Sequence, residues 1–119
     1  MTSLRVPLSF HGAIDLTAGL ALMAAPLVLG FGAPATFVAL ALGALLVGLG
    51  LATTAPEGRG IVAPSAHAAY DIGLGAGLIA AGFAVGVAGD VVAFSVLAGV
   101  GVAGLLLTGF TRYSVTLAS

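Results

Sequence analysis

The chain has 119 residues, of which 61% are hydrophobic and 6% are charged, and its mean hydropathy is +1.27. Because soluble domains carry about a quarter charged residues, this composition excludes a soluble globular protein and predicts an integral membrane protein. The absence of cysteine excludes disulfides and thiolate metal or iron–sulfur ligands. Three Lys or Arg residues and a net charge of −1 exclude a nucleic-acid partner, since that binding requires a basic patch.

Four apolar stretches follow one another along the chain, and each is long enough to cross a bilayer as a helix. A spanning helix needs about 20 predominantly apolar residues; the qualifying stretches are 10–30, 35–55, 65–87 and 91–110. They lack the alternation of barrel strands. The sequence therefore predicts an all-α, four-helix integral membrane bundle that forms one transmembrane domain over residues 1–119.

The few charged residues predict how the bundle is oriented. With four spans, both termini lie on one side of the membrane, together with the connection between the second and third spans. Arg5, Arg59 and Arg112 all fall on this side, whereas Asp90 lies in a turn on the other side. Because Lys and Arg accumulate on cytoplasmic flanks, we expect both termini to be cytoplasmic.

A polar signature at the start of the first span recurs at the start of the third span. It reads Ser9-x-His11-x-Ala13-x-Asp15 and returns 67 − 11 = 56 residues later as Ser65-x-His67-x-Ala69-x-Asp71. The offset also matches three glycine pairs: Gly19 with Gly75, Gly43 with Gly99, and Gly48 with Gly104. The repeat thus covers two helices, from about 6–55 and about 62–111. Because each copy crosses twice, we expect a pseudo-twofold axis along the membrane normal.

This repeat predicts a cluster that we call the His–Asp quartet, made of His11, Asp15, His67 and Asp71. A His and an Asp four residues apart share one helix face, and the repeat places both pairs at one depth. The six matched glycines are predicted to provide small surfaces for close helix packing. Ser9 and Ser65 are predicted to cap the starts of the first and third helices.

The chain resembles the SPW-repeat membrane proteins, which are small four-helix bacterial proteins built from two two-helix units. In the first copy the resemblance is carried by His11, Asp15, Gly19, Ala25, Pro26, Leu27, Gly30 and Phe31, and in the second by His67, Asp71, Gly75, Ala81 and Gly86. The tripeptide Ser-Pro-Trp of that family is replaced by Ala25-Pro26-Leu27 and Ala81-Gly82-Phe83. The resemblance implies a four-helix architecture and a bacterial inner-membrane location, and it implies no chemistry.

Three roles are open for the quartet. Its members could pin the first and third helices together through His–Asp hydrogen bonds, within one helix or across the axis. They could instead bind a divalent transition metal, or His11 and His67 could be axial ligands of a haem. Intramembrane ionisable groups also indicate proton or cation transport, although nothing polar continues the path beyond Asp15 and Asp71.

We expect a non-enzymatic structural or accessory component of a membrane assembly, with no resident cofactor. Its expected partners are the lipid bilayer and either other membrane subunits or copies of itself. A catalytic triad is not indicated, because the spacing of Ser9, His11 and Asp15 spreads these side chains around a helix. The extramembrane segments are too short to bind a soluble substrate on their own.

Overall fold

The computed structural model describes residues 6–53 and 64–112, which form four long helices and one short strand pair. The helices are α1 (Leu8–Leu29), α2 (Ala33–Thr53), α3 (Pro64–Val87) and α4 (Val91–Phe110). Each contains a stretch long and apolar enough to cross a membrane: Phe10–Leu29, Ala33–Ala52, Ala66–Val87 and Val91–Phe110. The predicted all-helical, four-span architecture is therefore confirmed at this level. Arg5 and Arg59, on which the predicted orientation depends, lie outside the described residues.

The four helices are organised as two antiparallel hairpins. Close backbone contacts are concentrated between α1 and α2 and between α3 and α4, and they are sparse between the hairpins. We call α1–α2 the first hairpin and α3–α4 the second. Large apolar side chains such as Leu27, Phe37 and Val87 point outward, with exposed fractions of 87%, 74% and 89%. An outward apolar surface is what a lipid environment requires of a helix bundle.

Within each hairpin, the helices touch through glycine. A Cβ atom built on Gly19 would lie 2.6 Å from the carbonyl oxygen of Gly43, and one built on Gly101 would lie 2.7 Å from that of Gly75. Real Cβ atoms do not come this close to another backbone. Small residues thus allow the direct backbone approach that stabilises helix pairs in membranes.

Three of the six matched glycines, Gly48, Gly99 and Gly104, do not make the close approach within the hairpins. Within the described part of the chain, a Cβ at any of these three positions would have no neighbour within 4 Å. In α4 the close approach is made by Gly101, which lies 101 − 43 = 58 residues after Gly43 instead of 56. The buried alanines Ala35 and Ala93 are likewise 93 − 35 = 58 residues apart. The second hairpin has two additional residues before α4. A constant offset of 56 residues therefore matches Gly43 with Gly99, whereas the glycine in the equivalent position is Gly101.

The predicted caps Ser9 and Ser65 are also corrected by the helix bounds. Each serine is the second residue of its helix, and the N-cap position of α1 belongs to Pro7. The side chains of both serines lie outside the described part of the structure. At the start of α3, Pro64 is the first helical residue, a position that suits proline because its missing N–H group would have no helical partner there.

At the turn end of the bundle, Asp90 connects the two hairpins. Its Oδ1 accepts a hydrogen bond of 3.2 Å from the Ala93 backbone N–H and so caps α4. Its Oδ2 accepts one of 2.8 Å from the backbone N–H of Gly32 in the other turn. Gly30 and Gly89 adopt positive φ angles of 71° and 106° in these turns, which glycine tolerates without steric cost.

The capping geometry predicts a moderate effect for Asp90. We expect Asp90→Ala to lower the free energy of unfolding by about 1–2 kcal/mol, because it removes an N-cap and the bond to Gly32. Asp90→Asn should cost less, because its amide oxygen can still accept from the Ala93 N–H. Thermal unfolding in mild detergent measures both. Ser95→Ala in the same helix is the control, since the Ser95 hydroxyl bonds the Val91 carbonyl one turn earlier; equal losses for Ser95→Ala and Asp90→Ala would contradict this account.

At the opposite end, the segments flanking α1 and α4 pair side by side. Strand β1 (Val6–Pro7) and strand β2 (Thr111–Arg112) form a two-residue parallel pair in which Val6 is opposite Thr111. This pairing fixes the end of α4 beside the start of α1. Thr111, which immediately follows α4, is consequently brought next to the first turn of α1.

Candidate functional site

The four quartet residues occupy equal positions on two helices. His11 and Asp15 are the fourth and eighth residues of α1, and His67 and Asp71 are the fourth and eighth residues of α3. Spacing of four residues directs both members of a pair to one helix face. All four side chains are buried: the exposed fractions of the residues are 1% for His11, 6% for Asp15, 1% for His67 and 5% for Asp71.

The structure brings each histidine into contact with both aspartates. One oxygen of each aspartate, Oδ2, lies close to the Nε2 atoms of both histidines. The Asp71 oxygen is 3.0 Å from each Nε2 atom, and the Asp15 oxygen is 3.3 Å from each. The contacts within a helix and between helices are therefore equivalent in length, which answers a question that the sequence leaves open. The two Nε2 atoms and the two Oδ2 atoms thus alternate around a closed ring of four non-covalent contacts.

Thr111 supports the quartet from outside this ring. Its hydroxyl donates a 2.7 Å hydrogen bond to the Leu107 carbonyl. The same oxygen is hydrogen-bonded to Nδ1 of His11. Since a hydroxyl has one proton to donate, the His11 Nδ1–H group donates to Thr111. The residue is 4% exposed, so this bond is buried with the quartet.

Thr111 is a site residue that sequence reasoning misses. It is 100 positions from His11 along the chain, and a threonine at the end of an apolar helix usually bonds a carbonyl of its own helix. No local pattern distinguishes it from Thr108, whose hydroxyl makes only such a bond among the interactions described, to the Gly104 carbonyl at 2.9 Å. The β1–β2 pairing is what brings Thr111 to the site.

Because the quartet is buried, its net charge determines how costly it is to place in the membrane. Two carboxylates with two neutral imidazoles would place two negative charges side by side in an apolar bundle. An uncompensated intramembrane charge costs at least about 2.5–3.5 kcal/mol at the helix centre. Two arrangements neutralise the cluster while both aspartates stay ionised: a second proton on each histidine, or one divalent cation among the four ligand atoms.

Next to the quartet, the described part of the interior is apolar. A cavity of about 280 Å³ lies next to the two aspartates. Among the described residues that line it, Asp15 and Asp71 are the polar ones, and the others include Leu46, Leu78 and Val100. A proton or cation path needs polar groups along its length, and the described lining offers none past the aspartates.

A haem does not fit between the two histidines as they are arranged. The imidazole rings meet edge to face, with centroids 5.4 Å apart and an angle of 88° between their planes. The carboxylate oxygens of both aspartates lie 3.0–3.3 Å from both Nε2 atoms, in the space that a porphyrin would need. The four potential ligand atoms lie within 4.8 Å of one another.

Comparison with known proteins returned no match: no family model, no curated protein and no solved structure matches the chain. The fold and the site therefore define its class by themselves. Four helices of sufficient length and apolarity indicate a multi-pass membrane protein. Within that class, its distinguishing feature is a buried His–Asp quartet joining two helical hairpins.

Proposed function

We propose that this chain is a small structural or accessory component of a membrane assembly, in which the His–Asp quartet locks the two hairpins together. The observation that carries this proposal is the buried contact of all four side chains between hairpins whose backbones otherwise approach each other sparsely. Apolar helix faces can pack in many registers, whereas a polar cluster fits only one. Such a lock serves specificity, since interhelical hydrogen bonds in membranes average only about 0.6 kcal/mol.

The proposal includes an internal repeat and an orientation in the membrane. We infer two tandem two-helix units related by a pseudo-twofold axis along the membrane normal, in the manner of SPW-repeat proteins. The equal positions of the His and Asp residues in α1 and α3 support it. We further infer a bacterial inner-membrane protein with both termini cytoplasmic, because all three arginines are on that side of the predicted topology.

The mode of action we propose is non-enzymatic and operates through the outer helix faces. The turns 30–32 and 88–90 are short, so the described structure offers little surface outside the helices. Its outward side chains are mostly apolar and suit lipid, another membrane subunit or a second copy of this chain. A transport role is not proposed, because the described cavity lining lacks polar groups beyond the aspartates.

Affinity purification of the full chain from native membranes in mild detergent tests the accessory role. We expect a self-associated form or stoichiometric membrane subunits, measured by light scattering and mass spectrometry. A monomer without co-purifying subunits would reject this role. The control is Thr108→Val, because Thr108 is partly buried and its hydroxyl bonds the Gly104 carbonyl of its own helix; it should leave the assembly intact, whereas His11→Ala should weaken it.

A further inference from the structure

We propose that the quartet is a binding site for one divalent transition-metal ion, held by Nε2 of both histidines and Oδ2 of both aspartates. This inference rests on the proposed function of the quartet, which is to hold the two hairpins together, and it assigns a ligand to the quartet. Four ligand atoms from four buried residues lie within 4.8 Å of one another. Three arguments, from distance, from hydrogen-bond direction and from charge, lead to this ligand.

The distances fit a four-coordinate ion. Ligand atoms bonded to Zn²⁺ at about 2.0–2.1 Å lie about 2.9 Å apart at a right angle and about 3.3 Å apart at the tetrahedral angle. The four nitrogen–oxygen distances around the ring are 3.0 Å or 3.3 Å. The two remaining separations, between the two nitrogens and between the two oxygens, are no longer than 4.8 Å, so a bound ion would draw these side chains closer together. The four ligand atoms are already gathered by the side-chain contacts between α1 and α3.

The hydrogen bond from His11 to Thr111 directs the correct nitrogen toward the ion. Because Nδ1 of His11 carries the proton donated to Thr111, a neutral His11 presents the lone pair of Nε2 to the centre of the quartet. Metal-binding histidines characteristically donate their other ring N–H to an outer partner in this way. Without a cation or an added proton, that lone pair would face two carboxylate oxygens, which are also acceptors.

Charge and donor type select the class of ion. Two carboxylates and two neutral imidazoles carry a charge of −2, which one divalent cation neutralises in an apolar surrounding. Imidazole favours Zn²⁺ and other transition metals, whereas Ca²⁺ and Mg²⁺ prefer oxygen ligands and higher coordination numbers. The chain has no cysteine to bias the site toward softer ions. Zn²⁺ is therefore the probe of choice, and Co²⁺ reports the geometry.

Metal binding to the full-length protein tests this inference. The protein carries a histidine-free affinity tag, is stripped with a chelator and is titrated with Zn²⁺ against a chromophoric competitor. We expect one Zn²⁺ per chain and, with Co²⁺, the strong visible absorption of a four-coordinate site. Asp71→Asn and His67→Gln should each weaken Zn²⁺ binding by more than about 100-fold, since each removes an ionic or nitrogen ligand.

Thr111→Val provides a variant in which all four ligands remain. We expect it to weaken Zn²⁺ binding about 10- to 100-fold through loss of the bond to His11. Thr108→Val is its matched control and should leave the affinity unchanged, because the Thr108 hydroxyl bonds the Gly104 carbonyl within α4. Folding of each variant is checked by circular dichroism and size-exclusion chromatography.

The outcomes distinguish the metal site from the proposed function of the quartet in holding the hairpins together. Folded wild-type protein that binds no stoichiometric Zn²⁺ or Co²⁺ overturns the metal site, and so do Asp71→Asn and His67→Gln variants that bind Zn²⁺ as tightly as the wild type. Equal weakening by both threonine variants overturns the role of the bond to Thr111. If the metal-free wild type is still more stable than the quartet variants, the quartet holds the hairpins together without a metal. If the metal binds but the quartet variants are as stable as the wild type, the metal site is supported and the role of the quartet in holding the hairpins together is rejected.

Discussion

Asp71→Ala is expected to lower the free energy of unfolding by about 3–5 kcal/mol, the range for removal of one partner from a buried ionic group. The substitution removes two contacts of 3.0 Å and leaves Asp15 as the sole carboxylate beside both histidines. The loss should far exceed the ~0.6 kcal/mol of an average interhelical hydrogen bond, because it leaves buried charge without compensation.

Thermal unfolding in mild detergent, with a chelator present, measures this loss without a contribution from bound metal. Thr17→Val is the control and should change stability by less than about 0.5 kcal/mol, as most substitutions on exposed positions do. Simultaneous replacement of His11, Asp15, His67 and Asp71 by leucine should recover much of the loss, since apolar replacement of a whole buried ionic group is often neutral. An Asp71→Ala protein as stable as the wild type would show that the quartet does not hold the hairpins together.

Gly101→Ala is expected to have the second large effect, and Gly99→Ala provides its matched control in the same helix. A methyl group on Gly101 would lie 2.7 Å from the Gly75 carbonyl oxygen and 3.0 Å from the Cβ of Leu78. Because one of these atoms is backbone, α3 and α4 must separate. We expect a loss of about 1–3 kcal/mol, the usual range for overpacking.

At Gly99, the added methyl group would meet no described atom within 4 Å. Gly99→Ala should therefore be neutral or stabilise the protein by up to about 1 kcal/mol, since alanine is the better helix former. The two variants are compared by thermal unfolding in the same detergent. If Gly99→Ala were the damaging one, the helix register inferred for the second hairpin would be wrong and the constant 56-residue offset would be right.

The contrast between Gly99 and Gly101 shows where sequence reasoning stops. Glycine is abundant in this chain, with 19 occurrences, so a glycine matching another glycine at a fixed offset is weak evidence of an equivalent position. The His–Asp match is stronger because such residues are rare in apolar spans. That match holds for α1 and α3, whereas two additional residues before α4 shift the pairing there.

The sequence by itself determined two features. The length and apolarity of four stretches determined the four spans, and the spacing of four residues between His and Asp determined that each pair shares one helix face. These are local properties, fixed by helix geometry and by the requirement that a bilayer places on each segment. Tertiary structure alone decided that each aspartate contacts both histidines, that Thr111 receives the His11 N–H, and that Gly101 packs on Gly75. These contacts depend on how two hairpins are placed side by side. That placement is set by turn length and side-chain packing among residues far apart in the chain, which no local pattern encodes.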